Sequence, residues 1–287
     1  MMCFHFIKRV FLTVLIICFI GITYLHSQSS ELSVMLGISS YKGDLSNSLF
    51  NTKFFHPAVA GDFRRCWNNN WSYRAGIAYG TISGDDAKSD VAFELFRNLS
   101  FKSRMLEGHL LFEFNFFPYQ TANPASTWTP FLFGGLAVYK FNPKAQLGDD
   151  WIALQPLATE GQGTGAYPDR SKYGRVQFSL PFGGGFKFKL TNRLGISIEA
   201  GARRTFTDYL DDVSATYAKK DVLLSSYGPL SVLFSDRTID SVNDTNNDRQ
   251  RGDAAHKDWY MFSGVALSFT LSKRYNDSCK PFKQQLR

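Results

Sequence analysis

The sequence predicts an all-β protein, an eight-stranded antiparallel transmembrane β-barrel with four long outer loops. Three observations predict it. The stretch DWYMFSGVALSFTL at 258–271 sets Trp259, Met261, Val265, Leu267, Phe269 and Leu271 against Tyr260, Phe262, Gly264, Ala266, Ser268 and Thr270; only a strand puts alternate residues on opposite faces. Aromatic residues make up 16% of the chain, yet after the N-terminus no apolar run has the length of a membrane helix. The connections between strands also alternate long and short, the layout of a membrane barrel with both ends on the side of the short turns. A soluble lipocalin-like barrel alternates too, but keeps its large apolar face inside. Here the aromatic face opposes a small and charged one, which favours the inverted, membrane arrangement.

The chain begins with Lys8 and Arg9, an apolar run from Val10 to Leu25 and then HSQSS, the order of a signal peptide. Cleavage is expected at Ser27 or within a residue or two, with retention as a membrane anchor the alternative. Cys18 lacks the small residues that precede a lipidated cysteine. The domain reading is therefore a signal at 1–27, the barrel at 28–271 and a periplasmic tail at 272–287.

Removal of the signal leaves 30 basic residues against 25 acidic, a mild net charge of +5. No basic cluster is interleaved with aromatics, so nucleic-acid binding is not expected. Of four cysteines, Cys66 and Cys279 stay in the mature chain. A disulfide between them and two free thiols are both open, because one pair carries no spacing signal.

Strand one, Glu31 to Tyr41, alternates Leu32, Val34, Leu36 and Ile38 with Ser33, Met35, Gly37 and Ser39, until KGDLSNS breaks it. Strand two runs from Pro57 to Trp67 and ends at Asn68, Asn69 and Asn70, residues that tolerate the left-handed backbone of a tight hairpin. Strand three follows at once, Trp71 to Ile82. After a loop of about twenty residues, strand four spans Ser103 to Phe117, with Leu106, Leu110, Phe112 and Phe114 opposite Glu107, His109 and Glu113. PYQTANPASTW leads to strand five, Pro130 to Phe141. Residues 142–172 read as irregular. Strand six, Tyr173 to Leu190, carries Pro181, which suggests a bulge. Thr191, Asn192 and Arg193 turn the chain into strand seven, Leu194 to Phe206. The connection 207–257 is the longest, and its polar second half reads as mobile, with little to bury. Strand eight is the stretch described first, and it should close the sheet against strand one, since an open edge does not survive in a bilayer.

The polar faces collect Asp62, Arg64, Arg74, Glu107, His109, Glu113, Lys187, Glu199 and Arg203. In a narrow barrel these meet inside, where buried charges need partners, so a paired plug is expected in place of a conducting or catalytic lumen. His109 beside Glu107 and Glu113 could be drawn as a general base, but no serine or cysteine nucleophile stands at a diagnostic spacing. The acids Asp85, Asp86, Asp208, Asp211 and Asp212 do not follow an EF-hand spacing; loop-ordering hydrogen bonds explain them. No catalytic residue, metal site or cofactor is expected.

Eight segments in order carry a resemblance: SSYKGDLS (39–46), YGTISGDDAKSD (79–90), RNLSFKS (97–103), FNFFPY (114–119), FNPKA (141–145), LQPLATEGQG (154–163), LPFGGGFK (180–187) and TFTDYLDDVSATY (205–217). Together they resemble the PorG-type outer-membrane proteins of Bacteroidota. Their distinctive residues here are Gly84, Asp85, Asp86, Arg97, Asn98, Thr159, Glu160, Gly161, Gln162, Gly163, Thr207, Asp208, Tyr209, Asp211 and Asp212. Ala158 stands where the resemblance leads one to expect glycine. The resemblance implies an outer-membrane component of the type IX secretion system, non-enzymatic, associated with a periplasmic ring of PorK-like and PorN-like proteins. The predicted topology puts most of these segments on the outer side, opposite the ring. They would then meet other outer-membrane parts of the machine or fold over the barrel mouth, leaving the ring to 118–129, the short turns and the tail. The alternative is a stand-alone barrel, porin-like or surface-binding.

Overall fold

The computed structural model describes residues 29–123, 125–238 and 246–271. The expected signal segment, the tail beyond Leu271 and Cys279 lie outside them. Ten strands follow in order: β1 (Ser30–Lys42), β2 (His56–Cys66), β3 (Trp71–Asp85), β4 (Ser100–Asn115), β5 (Trp128–Lys140), β6 (Pro143–Leu147), β7 (Asp150–Ala153), β8 (Val176–Lys189), β9 (Leu194–Thr205) and β10 (Trp259–Thr270). Eight of them close into an antiparallel barrel. Each pairs with the next, β5 passing over a β6–β7 hairpin to reach β8, and β10 returns to β1 from Glu31 opposite Thr270 to Lys42 opposite Trp259. The expected closure is the observed one, and the barrel has no free edge.

The short turns are set by side chains that stand in for backbone partners. Asn68 Oδ1 accepts from the amides of Asn70 and Trp71 at 2.9 and 2.8 Å. Thr191 Oγ1 does the same for Arg193 and Leu194 at 3.1 and 3.0 Å. At this turn end the outward rim is aromatic, with Trp67, Trp71, Phe116, Phe117 and Trp128 exposed, the interfacial position such rings favour. The four long connections leave from the other end.

Outward residues are apolar and exposed: Leu36 is 68% exposed, Ile77 65%, Leu110 66% and Phe178 65%. A contiguous apolar belt of this kind has no place in water. It is the lipid face of a membrane barrel. Inward residues along the same strands are buried: charged and small ones are interleaved with large rings such as Phe131, Phe133, Tyr139 and Tyr260. Among the described residues, no helix is long and apolar enough to cross a membrane.

The structure corrects the sequence reading in four places. The stretch 142–172 is not wholly irregular: it holds the hairpin β6–β7, whose residues pair Lys144 with Ala153 through Leu147 with Asp150. The loop after β3 is shorter than expected, because β3 and β4 stay paired as far as Asp85 opposite Ser100. Pro181 makes no bulge. The register of β8 with β9 runs unbroken through it, and the missing amide instead coincides with a gap in pairing to β5 opposite Gly135 and Leu136,. The last long connection holds two short helices, Lys220–Tyr227 and Pro229–Ser235, and its polar run buries Arg251 and Asp258 completely. Composition could not foresee that, because each polar group is satisfied by a distant partner.

Candidate functional site

The inward side chains of the eight barrel strands form one continuous charge network. Arg64 on β2 lies between Glu31 on β1, at 3.0 Å, and Glu113 on β4, at 2.6 Å. Glu113 also accepts from Ser72 at 2.9 Å and from Lys187 Nζ at 3.1 Å, and Lys187 continues to Asn115 at 3.0 Å. Arg74 donates to both oxygens of Glu199 at 3.0 and 2.9 Å across the lumen. Nearer the loop end, Arg203 and Tyr260 both reach Glu107, at 3.1 and 2.8 Å. Aromatic faces cover the cations: Arg74 lies over Phe133, Lys187 over Phe131 and Arg203 over Phe262,.

His109 lies within this network. Five acidic side chains, Glu31, Asp62, Glu107, Glu113 and Glu199, meet four basic ones, Arg64, Arg74, Lys187 and Arg203, all buried. His109 places Nδ1 2.9 Å from Glu107 and Nε2 2.6 Å from Asp62. Both ring nitrogens are thus engaged by acidic side chains, one from β2 and one from β4, which fixes the ring within the fill of the barrel,. All nine network residues expected from sequence are in it. Glu31, Ser72, Asn115 and Tyr260 were missed as members, although the period of two already put them on the inward face.

Over the mouth, the long loops pack into a cap. Glu160 is its centre: its carboxylate accepts from Arg251 at 3.0 Å, from Tyr209 at 3.1 Å and from the amides of Ser214 and Ala215. Arg251 also donates to the carbonyls of Asp212 and Ser235 at 2.7 and 3.0 Å. Asp212 accepts from Thr159 at 2.5 Å and Tyr173 at 2.6 Å. Asp211 takes the Tyr41 hydroxyl, which ties the cap to β1, and Asp258 accepts from the Leu210 amide at 2.9 Å.

The segment after β3 joins the same cap. Asp86 pairs with Arg97 at 2.8 Å, and Arg97 reaches the carbonyls of Asp44 and Arg251 at 2.6 and 2.7 Å. Asn98 takes a left-handed φ of 53° to end the helix Ala92–Arg97, and its amide reaches the Arg237 carbonyl at 3.3 Å. Gly84 faces Leu45, whose Cβ would lie 2.6 Å from any added Cβ. Gly161 and Gly163 have φ of +74° and +77°, and Gln162 folds back to accept from the Glu160 amide at 3.0 Å. Thr207 accepts from the Tyr209 amide at 3.2 Å. Asp85 sits at the edge, capping a short turn through the Ala87 amide at 3.2 Å. Thus the sequence-selected loop residues from four separate segments come together, while Asp44, Arg251 and Asp258 join them unforeseen.

The cap holds more acid than base, and its carboxyls respond. Burial pushes Asp208 up to about 7, Asp212 to about 6 and Asp44 to about 6. Asp211 and Asp258 are raised well above the carboxylate range, first by burial and then by neighbouring acids, Asp44 for the one and Asp211 for the other,. Among the described residues, no three His, Cys, Asp or Glu side chains converge as a metal-ligand set. Cys66 is buried; its suggested partner, Cys279, lies outside the described residues.

Solved structures with a similar outline include Ail, the attachment invasion locus protein of Yersinia pestis, in complex with the heparin analogue sucrose octasulfate. It shares 10% identity at a TM-score of 0.40, over 85% of this chain and 99% of that one. The N-terminal β-barrel domain of Pseudomonas aeruginosa OprF gives 11% and 0.35, over 86% and 100%. Neisserial surface protein A gives 7% and 0.36, over 84% and 96%. No curated protein matches the sequence. The profile of one family, described as a domain of unknown function (DUF6089), matches residues 8–230, from the N-terminal segment through β9 and into the last long connection. The chain belongs to that family, DUF6089.

Proposed function

We propose that this protein is a non-enzymatic outer-membrane component of the type IX secretion system, anchoring or organising a periplasmic ring of PorK-like and PorN-like proteins. The observation that carries the reading is the filled and capped barrel. Lumen charges are paired side to side, and Glu160 and Arg251 hold the loops over the mouth. A barrel built this way offers neither a conduit nor an accessible base or nucleophile. What it offers is two rigid ends on a membrane anchor. Many of the loop residues packed in the cap, Asp86, Arg97, Thr159, Glu160, Asp211 and Asp212 among them, lie in segments whose sequence resembles PorG-type proteins, which supports the secretion assignment over a generic barrel.

At the turn end, the segment after β4 folds back beneath the lumen. The Tyr119 amide donates to Asn69 O at 2.8 Å, Gln120 reaches Asn69 Oδ1 at 3.1 Å and Lys189 reaches the Asn123 carbonyl at 2.6 Å. This gives the periplasmic side a defined surface for the ring, while the cap faces other outer-membrane parts of the machine. Affinity purification from outer membranes in mild detergent, followed by mass spectrometry, tests the reading. Recovery of a ring-forming lipoprotein and its partner is the expected result. A clean monomer in several detergents, or steady single-channel conductance in a planar bilayer, would favour the stand-alone barrel.

A further inference from the structure

We infer that the outward rim at the loop end carries a binding site for the phosphorylated headgroup of a membrane lipid. The site is a cavity of about 490 Å³ between the upper end of β4 and the β6–β7 hairpin, lined by Lys102, Arg104, Asn142, Lys144 and Trp151. Every charged group in that lining is a cation.

Three features point to an anionic occupant. Lys102 and Lys144 are direct register partners across the β4–β6 ladder. Like charges placed opposite each other repel, and the arrangement is relieved when an anion sits between them. Lys102 and Arg104 are exposed, and neither they nor Lys144 has an ion-pair partner among the described residues. Lys102 is instead held over the Trp151 ring at 5.5 Å, and Arg175 comes up to Asn142 Oδ1 at 3.4 Å. A planar guanidinium beside ammonium groups suits the oxygens of a phosphate.

Position says that the phosphate belongs to a lipid. Arg104 and Lys102 continue the outward row of β4 after Leu110 and Leu106, which are 66% and 51% exposed in the apolar belt. The cavity therefore begins where the apolar outward row of β4 ends, and its wall includes Trp151, a ring of the kind that membrane interfaces favour,. The opposite rim differs: its outward ring is Trp67, Trp71 and Trp128 with Phe116 and Phe117. Elsewhere on the loop-end rim the pattern recurs, with Lys42, Trp259 and Arg204 as register neighbours on three adjoining strands. A loop-end rim on which Lys42, Lys102, Arg104 and Arg204 gather around Trp151 and Trp259 suits a bilayer whose loop-side leaflet carries phosphates,. This inference depends on the membrane barrel alone and not on the secretion role.

The test uses the full chain in neutral detergent micelles, titrated separately with phosphorylated lipid A, with the same lipid stripped of phosphate, and with inorganic phosphate, reading the shift in thermal midpoint. The phosphorylated lipid should give a saturable shift and the other two none. The K102Q/R104Q/K144Q variant should bind about a hundredfold more weakly, since each cation near an anionic surface contributes about one decade or slightly less, while keeping its heat-modifiable mobility. Should the triple variant not fold, R104Q alone should weaken binding about fivefold to tenfold. An equal shift with inorganic phosphate would reduce the site to a general anion pocket; an equal shift with the dephosphorylated lipid, or undiminished binding by folded variants, would overturn the inference.

Discussion

Glu160 and Arg251 stand 91 residues apart in the chain and 3.0 Å apart in the cap, and both are buried. Because Arg251 also holds the carbonyls of Asp212 and Ser235, this one pair ties together the stretches around residues 160, 212, 235 and 251. Removing one partner of such a pair strands a charge without water or counter-ion. Glu160→Gln or Arg251→Gln should therefore destabilise the cap by about 3–5 kcal/mol, seen as rapid protease nicking within 206–258 while the eight barrel strands keep their resistance.

The lumen should react as a unit. Glu113 contacts Arg64, Lys187 and Ser72, so Glu113→Gln leaves two buried cations short of a counter-charge. A loss of about 3–5 kcal/mol is expected, measured as a lower urea midpoint of the detergent-folded barrel.

Stability of the cap should rise as pH falls. Asp208, Asp44 and Asp212 have carboxyls held above the value of the unfolded chain. The folded cap thus keeps protons that the unfolded loops release, and stability declines as pH climbs from about 4 to about 7. Limited proteolysis across that range should show faster loop cleavage at the upper end, and Asp208→Asn should flatten the profile.

Ala158 takes a left-handed φ of 48° at a buried position. A Cβ is unfavourable there, so Ala158→Gly should stabilise the loop by about 0.5–1 kcal/mol, measured as slower proteolysis at 154–163. This is also the position at which the PorG resemblance leads one to expect glycine.

On the lipid face, Leu110 lies midway along the outward row of β4 and is 66% exposed. In a water-facing sheet Leu110→Arg would be almost neutral. In a bilayer it should cost about 2–4 kcal/mol, read from urea titration of the barrel folded into liposomes.

The barrel was legible in the sequence because strand alternation is local: Leu106, Leu110 and Phe112 against Glu107, His109 and Glu113 declare both faces within ten residues. The same period told which charges point inward, but not which of them meet. Whether Arg74 finds Glu199 or only Asp62 depends on strand tilt and stagger, which are properties of the closed sheet. The cap was less legible still. Arg251 sits in a run that composition marks as solvated, and its burial follows from Glu160, a partner that no local pattern links to it. The hairpin at Pro143–Ala153 escaped for a related reason, since each of its strands is too short to display a period.

The pairing of β1 with β10 sets the order in which this molecule can be made. One edge of β1 is covered only by β10, so a sheet that has not yet closed presents two open edges able to recruit other strands,. Closure joins residues separated by almost the whole barrel sequence, a contact of high order that makes folding slow. Until that last strand arrives, the chain must be shielded from its own copies, and a truncation anywhere before β10 would leave an aggregating sheet in place of a smaller barrel.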